Sequence, residues 1–227
     1  MKKVKNILTA SAAAAAIALS AAPAMAELEA SAAVSNIYLF RGVDQGGGSA
    51  AVSGDLVYSN STGLYAGAWV SSASSYGNGG EIDTFAGWSG SFGDFGVDVG
   101  LLDYYYPGGG NDSDDLFRGL TEFYLGLSFA GVEFYYYDQI TGKSTALDDN
   151  TYMSLGYGMS KFSVVLGIAD PEEAKGQKGD SDYVHLDVGY AYNDNLSFTL
   201  SQVIDKDDSV VMEDDLQVVL SYSIPLN

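Results

Sequence analysis

The sequence predicts an all-β protein, a single antiparallel transmembrane β-barrel of about twelve strands with short periplasmic turns and long extracellular loops. Three observations predict it. Apolar and polar residues alternate with a period of two through most of the chain, the signature of strands with unlike faces. The connections between these strands alternate long and short, as in outer-membrane barrels. After residue 26, no run approaches the ~18 apolar residues of a membrane-spanning helix.

The clearest unit is Leu116 to Asp138. Thr121, Phe123, Leu125 and Leu127 fall on one side of it, and Arg118, Glu122, Tyr124, Gly126 and Ser128 on the other. After a short turn at Phe129–Gly131, Val132, Phe134 and Tyr136 oppose Glu133, Tyr135 and Tyr137. Two such runs joined through a glycine read as an antiparallel hairpin.

In chain order, residues 1–26 read as a cleaved signal peptide. Lys2, Lys3 and Lys5 precede an Ala-rich apolar stretch, and Ala24-Met25-Ala26 has the small-x-small form of a cleavage site. Residues 27–227 form the single barrel domain. The first strand is expected over about Glu29–Arg41, with Ala30, Ala32, Val34, Tyr38 and Phe40 on one face; Ile37 and Leu39 break its alternation. A Gly-rich loop leads to a strand over Ala50–Ser59, with Val52, Leu56 and Tyr58 opposite Ser53 and Asp55. Asn60 to Gly63 is a tight turn by residue type. Leu64–Ser71 sets Leu64, Ala66, Ala68 and Val70 against Tyr65, Gly67 and Trp69.

After a long Ser- and Gly-rich loop, Glu81–Trp88 sets Ile82, Thr84, Ala86 and Trp88 against Glu81, Asp83 and Gly87. Phe95, Val97, Val99 and Leu101 then oppose Asp98, Gly100 and Tyr104. The hairpin described above supplies the sixth and seventh strands. In the eighth, Met153, Leu155 and Tyr157 oppose Ser154, Gly156 and Gly158. In the ninth, Phe162, Val164, Leu166 and Ile168 oppose Ser163 and Gly167. In the tenth, Val184, Leu186, Val188 and Tyr190 oppose His185, Asp187 and Gly189. In the eleventh, Leu196, Phe198 and Leu200 oppose Ser197, Thr199 and Ser201. The twelfth carries Leu216, Val218, Leu220, Tyr222 and Ile224.

Charge narrows the partners. Removing the leader takes three of the ten basic residues and none of the thirty acidic ones, which leaves a formal charge of 7 minus 30, or −23. A chain this acidic is a poor binder of nucleic acid, because phosphate contacts need Lys and Arg. The absence of cysteine excludes disulfide stapling.

Alternation does not say which face is wet, and a soluble lipocalin-like barrel would turn the apolar set inward. The polar set here is Gly, Ser, Asp and Tyr with almost no Lys, which suits a confined lumen. Tyr38, Tyr58, Trp88, Tyr157, Tyr190 and Tyr222 lie near strand ends, where membrane barrels carry aromatic girdles. Twelve strands spaced ~4.8 Å and tilted ~40° close a circle roughly 24 Å across, with a lumen of about 10–12 Å if no segment folds across it. Inward Tyr104, Tyr124, Tyr135 and Tyr137 would narrow it.

Tyr38-Leu39-Phe40-Arg41-Gly42-Val43, Gly63-Leu64-Tyr65-Ala66-Gly67-Ala68-Trp69, the segment Gly93 to Gly100, and Tyr104-Tyr105-Tyr106-Pro107 resemble motifs of the proteobacterial TorF-type porin family, formerly grouped as conserved hypothetical proteins. The match is strongest over Ala30 to Leu127. It implies an outer-membrane barrel of a Gram-negative cell more firmly than it implies any substrate. Such barrels usually end in an aromatic residue, whereas this chain ends Ile224-Pro225-Leu226-Asn227. The expected partners are outer-membrane lipid and lipopolysaccharide, a small solute and the barrel-assembly machinery.

The candidate lumen-lining residues are Arg41, Asp55, Asp83, Asp98, Arg118, Glu122, Glu133, His185 and Asp187. Their carboxylates favour cations in a pore; the competing reading is structural pairing of buried charge. His185 and Asp187 share a face, as an outer-membrane hydrolase would need, but the many serines show no distinguishing spacing and no enzyme activity is expected. The acidic loops at Asn111–Asp115, Asp205–Asp208 and Glu213–Asp215 lack a full calcium-loop pattern. Gly46-Gly47-Gly48 lacks the Lys-Ser/Thr of a phosphate loop. No metal and no cofactor is expected. The expected function is passive diffusion of small solutes, with cations preferred; the alternative is a non-conducting barrel with a structural or adhesive role.

Overall fold

The computed structural model describes residues 26–74, 80–107, 120–141, 150–171, 182–207 and 214–226. The wall is a closed antiparallel barrel of twelve strands. These are β1 (Glu27–Ser35), β4 (Ala51–Ser59), β5 (Leu64–Ser71), β6 (Glu81–Phe92), β7 (Phe95–Tyr105), β8 (Leu120–Phe129), β9 (Val132–Gln139), β10 (Asn150–Met159), β11 (Phe162–Pro171), β12 (Tyr183–Ala191), β13 (Leu196–Lys206) and β14 (Gln217–Pro225). Two short strands, β2 (Leu39–Phe40) and β3 (Val43–Asp44), pair only with each other. Every wall strand pairs with its sequence neighbour. β1 closes the circle on β14, with Ser31 opposite Pro225 and Ser35 opposite Ser221. Closure leaves no free edge to seed aggregation.

Five tight turns gather at one end and the long connections at the other, because each hairpin reverses the chain. At the β8–β9 turn, Ala130 and Gly131 have φ of 52° and 85°. Two left-handed residues in a row make the turn whose twist matches a two-residue hairpin.

The pleat sorts the residues by chemistry. Leu56, Leu64, Leu101, Leu155, Val188, Leu200 and Val218 stand exposed on the outer wall. Tyr65, Asp98, Tyr124, Tyr135, Tyr137 and Tyr152 are buried inside. The strand faces are those the alternation predicts. Phe92, Phe95, Phe129, Phe162 and Tyr192 ring the tight-turn end of the outer surface, all exposed.

Inside, aromatic rings lie down against the wall. Five inward glycines each sit directly across the ladder from a ring: Gly67 from Phe85, Gly87 from Tyr65, Gly100 from Tyr124, Gly126 from Tyr135, and Gly167 from His185. A Cβ on Gly126 would come within 2.5 Å of the Tyr135 ring. The missing side chains are the space the rings occupy. From β5 to β10 the interior is thus tiled with aromatics, whereas β11, β13 and β14 present Ser163, Ser197, Thr199, Ser201 and Ser221.

One strand expectation needs correction. The first strand ends at Ser35, not at Arg41. The chain then leaves the wall and turns inward as the β2–β3 hairpin. The break in alternation at Ile37 and Leu39 marks the departure. Asn36 holds the exit by accepting a bond from the Leu220 amide, 2.7 Å, and donating to the Val218 carbonyl, 2.9 Å. Tyr38 is accordingly not a girdle residue; it is 2% exposed, inside the barrel.

Candidate functional site

The inward hairpin and the carboxylates around it form the chemically richest part of the interior. Its tip is Arg41-Gly42, with φ of 48° and 82°, again a two-residue hairpin turn. A non-glycine residue in this region is uncommon, and Arg41 is held there by what its side chain reaches. Its two terminal nitrogens donate to the two carboxylate oxygens of Glu122 on β8, at 2.8 and 2.7 Å. Such a fork-to-fork pair is both strong and directional. The guanidinium carbon lies 4.4 Å from the centre of the Tyr152 ring and 4.8 Å from those of Phe40 and Tyr137. Gly42 is the tip's second requirement, because a Cβ there would come within 2.4 Å of His185 Cβ.

Around this pair the hydrogen bonds run outward to the wall. Tyr104 Oη donates to Glu122 Oε2 at 2.8 Å. Tyr152 Oη and His185 Nε2 are 2.8 Å apart, and His185 Nδ1 lies 3.1 Å from Asp187 Oδ1. On the entering limb of the hairpin, Tyr38 Oη donates to Glu81 Oε2 at 2.8 Å, and Tyr106 Oη donates to Glu81 Oε1 at 3.3 Å. Asp83, two residues along β6, is 2% exposed, and its Oδ1 has no hydrogen-bond partner.

A second polar layer lies nearer the tight turns. Asp98 on β7 accepts from Tyr65 Oη at 2.5 Å and from Tyr135 Oη at 3.4 Å. Tyr65 and Tyr124 share a further short hydroxyl–hydroxyl bond. Asp98 thus sits buried with phenols and no cation as its hydrogen-bond partners.

The sequence-derived candidates distribute as follows. Arg41 meets Glu122, but from a hairpin rather than from the wall. Asp83, Asp98 and Glu122 are buried on the inward face, and His185 and Asp187 face inward together on β12. Asp55 accepts a bond from Ser31 across the β1–β4 ladder. Glu133 is part-buried on β9. Arg118 lies outside the described residues, as do the loop residues Asn111–Asp115. Sequence reasoning missed Glu81, Tyr38 and Tyr152 as site residues. For Tyr152 the usable signal was position, since it continues the inward series Ser154 and Gly156.

Both ring nitrogens of His185 are engaged, the ring stacks on Tyr152 with centroids 5.9 Å apart, and it is 1% exposed. Among the described residues no three His, Cys, Asp or Glu side chains converge as metal ligands do.

Over residues 20–219 the chain matches the model of a bacterial family described as being of unknown function (Gcw_chp). The chain belongs to this family. Its matched span runs from ahead of β1 into β14 and takes in the hairpin. No curated protein matches the chain.

Proposed function

We propose that this protein is an outer-membrane barrel whose lumen passes small cations at low conductance, narrowed by its own first long connection. The observation that carries the membrane reading is the inside-out sorting of the wall. A closed barrel with a full girth of exposed Leu, Val, Ile and Phe, and a buried interior of Tyr, Asp and Glu, is unstable in water, where soluble monomers keep apolar patches to a few hundred Å². Wall strands of eight to twelve residues match a tilted crossing of the hydrocarbon layer. The leader at residues 1–26 supplies the export route. The resemblance to TorF-type porins supports the same reading.

The cation preference follows from charge. Asp55, Asp83, Asp98, Glu122, Glu133 and Asp187 share the interior with Arg41 and His185, and Arg41 is neutralised by Glu122. Excess carboxylate in a confined pore favours cations over anions. Small solutes and lipopolysaccharide are the implied partners. The test is a planar bilayer with the purified protein under a KCl gradient. A reversal potential on the cation side is expected; anion preference would reject the filter. A second reading is favoured by the depth of the hairpin. Leu39 and Tyr104 are each 1% exposed, so the interior at this level is filled. Complete silence across many insertions would establish that reading, a non-conducting barrel with a structural or surface role.

A further inference from the structure

We propose that the Glu81–Asp83 pair is a binding site for a monovalent cation, seated between the wall and the entering limb of the hairpin. The proposal rests on the reading of the lumen as cation-preferring and gives that preference a location. Both residues are on the inward face of β6, two positions apart, and both are buried. Two adjacent buried carboxylates cannot both stay ionised unless a positive charge lies with them; otherwise the pair holds a proton. The ion pairs among the described residues are Arg41–Glu122, His185–Asp187 and Lys206–Asp214. None of these cations serves Glu81 or Asp83.

An independent observation points to the same place. Glu81 is satisfied by Tyr38 and Tyr106, but Asp83 Oδ1 is buried with no partner at all. Buried carboxylate oxygens are almost always bonded, and an orphan asks for an ion, a water or a role. Water alone would not cancel the charge. The ligand set is all oxygen: two carboxylates, with the phenol oxygens of Tyr38 and Tyr106 beside them. That is hard-cation chemistry. The absence of a third carboxylate or imidazole, among the described residues, excludes the crowded shell of a dehydrated divalent ion. Na⁺ or K⁺ fits the charge and the oxygens.

The experiment uses the full folded protein in detergent micelles. Unfolding is followed in NaCl and KCl, and in N-methyl-D-glucamine chloride of equal ionic strength. A bound ion stabilises by mass action, so above saturation each tenfold rise in Na⁺ or K⁺ raises the folded-to-unfolded ratio about tenfold. N-methyl-D-glucamine should have no such effect. Asp83→Asn should abolish the difference, while Asp194→Asn in an exposed tight turn should retain it. If Asp83→Asn does not fold, Tl⁺ soaked into crystals of the unmodified protein gives the second readout, with an anomalous peak expected beside Asp83 Oδ1. Equal stabilisation by all three salts, or Tl⁺ located elsewhere, overturns the site; a proton shared by the pair would give that result. The bilayer measurement keeps the two ideas apart. Specific stabilisation in a silent barrel retains the site and removes the pore, and cation selectivity without specific stabilisation does the reverse.

Discussion

Replacing Arg41 with Ala tests whether the hairpin is held by its tip. The change removes both charged hydrogen bonds to Glu122, at 2.8 and 2.7 Å, and the contacts with three rings. Glu122, whose side chain is 3% exposed, keeps only Tyr104. Breaking a buried pair from one side costs about 3–5 kcal/mol, mostly from the orphaned charge. The barrel wall has its own ladders and does not depend on this pair, so the loss falls on docking of the hairpin. The reporter is the Gln45 amide, which donates to the Tyr38 carbonyl at 2.6 Å across the base of the hairpin. Its hydrogen exchange in micelles should quicken roughly 10²- to 10⁴-fold, as about 3–5 kcal/mol of local opening requires. Amides in the β6–β7 ladder should be unaffected. Adding Glu122→Gln to Arg41→Ala should recover part of the loss, since no charge is then left alone. Gln45 exchange changed by less than about fivefold would refute the argument that this ion pair docks the hairpin.

Three further outcomes test other parts of the structure. Tyr65→Phe removes one hydroxyl that serves both Asp98 and Tyr124; urea unfolding in micelles should show a loss of about 1–3 kcal/mol. Gly100→Ala puts a Cβ within 2.6 Å of Tyr124 Cζ and 2.7 Å of the Ala86 carbonyl oxygen, and should cost about 1–3 kcal/mol. Gly158→Ala, with nothing within 4 Å, should stay within about 0.5 kcal/mol; equal effects at the two glycines would refute ring-on-glycine packing. Leu200→Arg places a charge on the outer wall. In lipid vesicles it should destabilise by about 2–4 kcal/mol, and a neutral result there would argue that this face does not meet hydrocarbon.

Strand number, strand faces and the alternation of loop lengths were legible because each depends on local pattern. A period of two fixes which side chains share a face, and turn residues such as Asn60 to Gly63 and Ala130-Gly131 fix where the chain reverses. The site was legible only as a set of inward charges. Asp83, Asp98 and Glu122 follow from strand parity alone, but their partners do not. Glu122 meets Arg41 across 81 positions, and no spacing rule links them.

The hairpin shows the division most plainly. Ile37 to Val43 is apolar enough to continue a strand, so local pattern carries the first strand on to Arg41. What stops it at Ser35 is the closed barrel itself, whose interior offers Glu122, three rings and the notch beside His185 to a turn that only Arg41-Gly42 can fill. The sequence by itself determined the wall, because a strand's two faces are written in adjacent residues. The contents of the lumen were decided by tertiary structure, because filling an enclosed space is a property of all twelve strands at once.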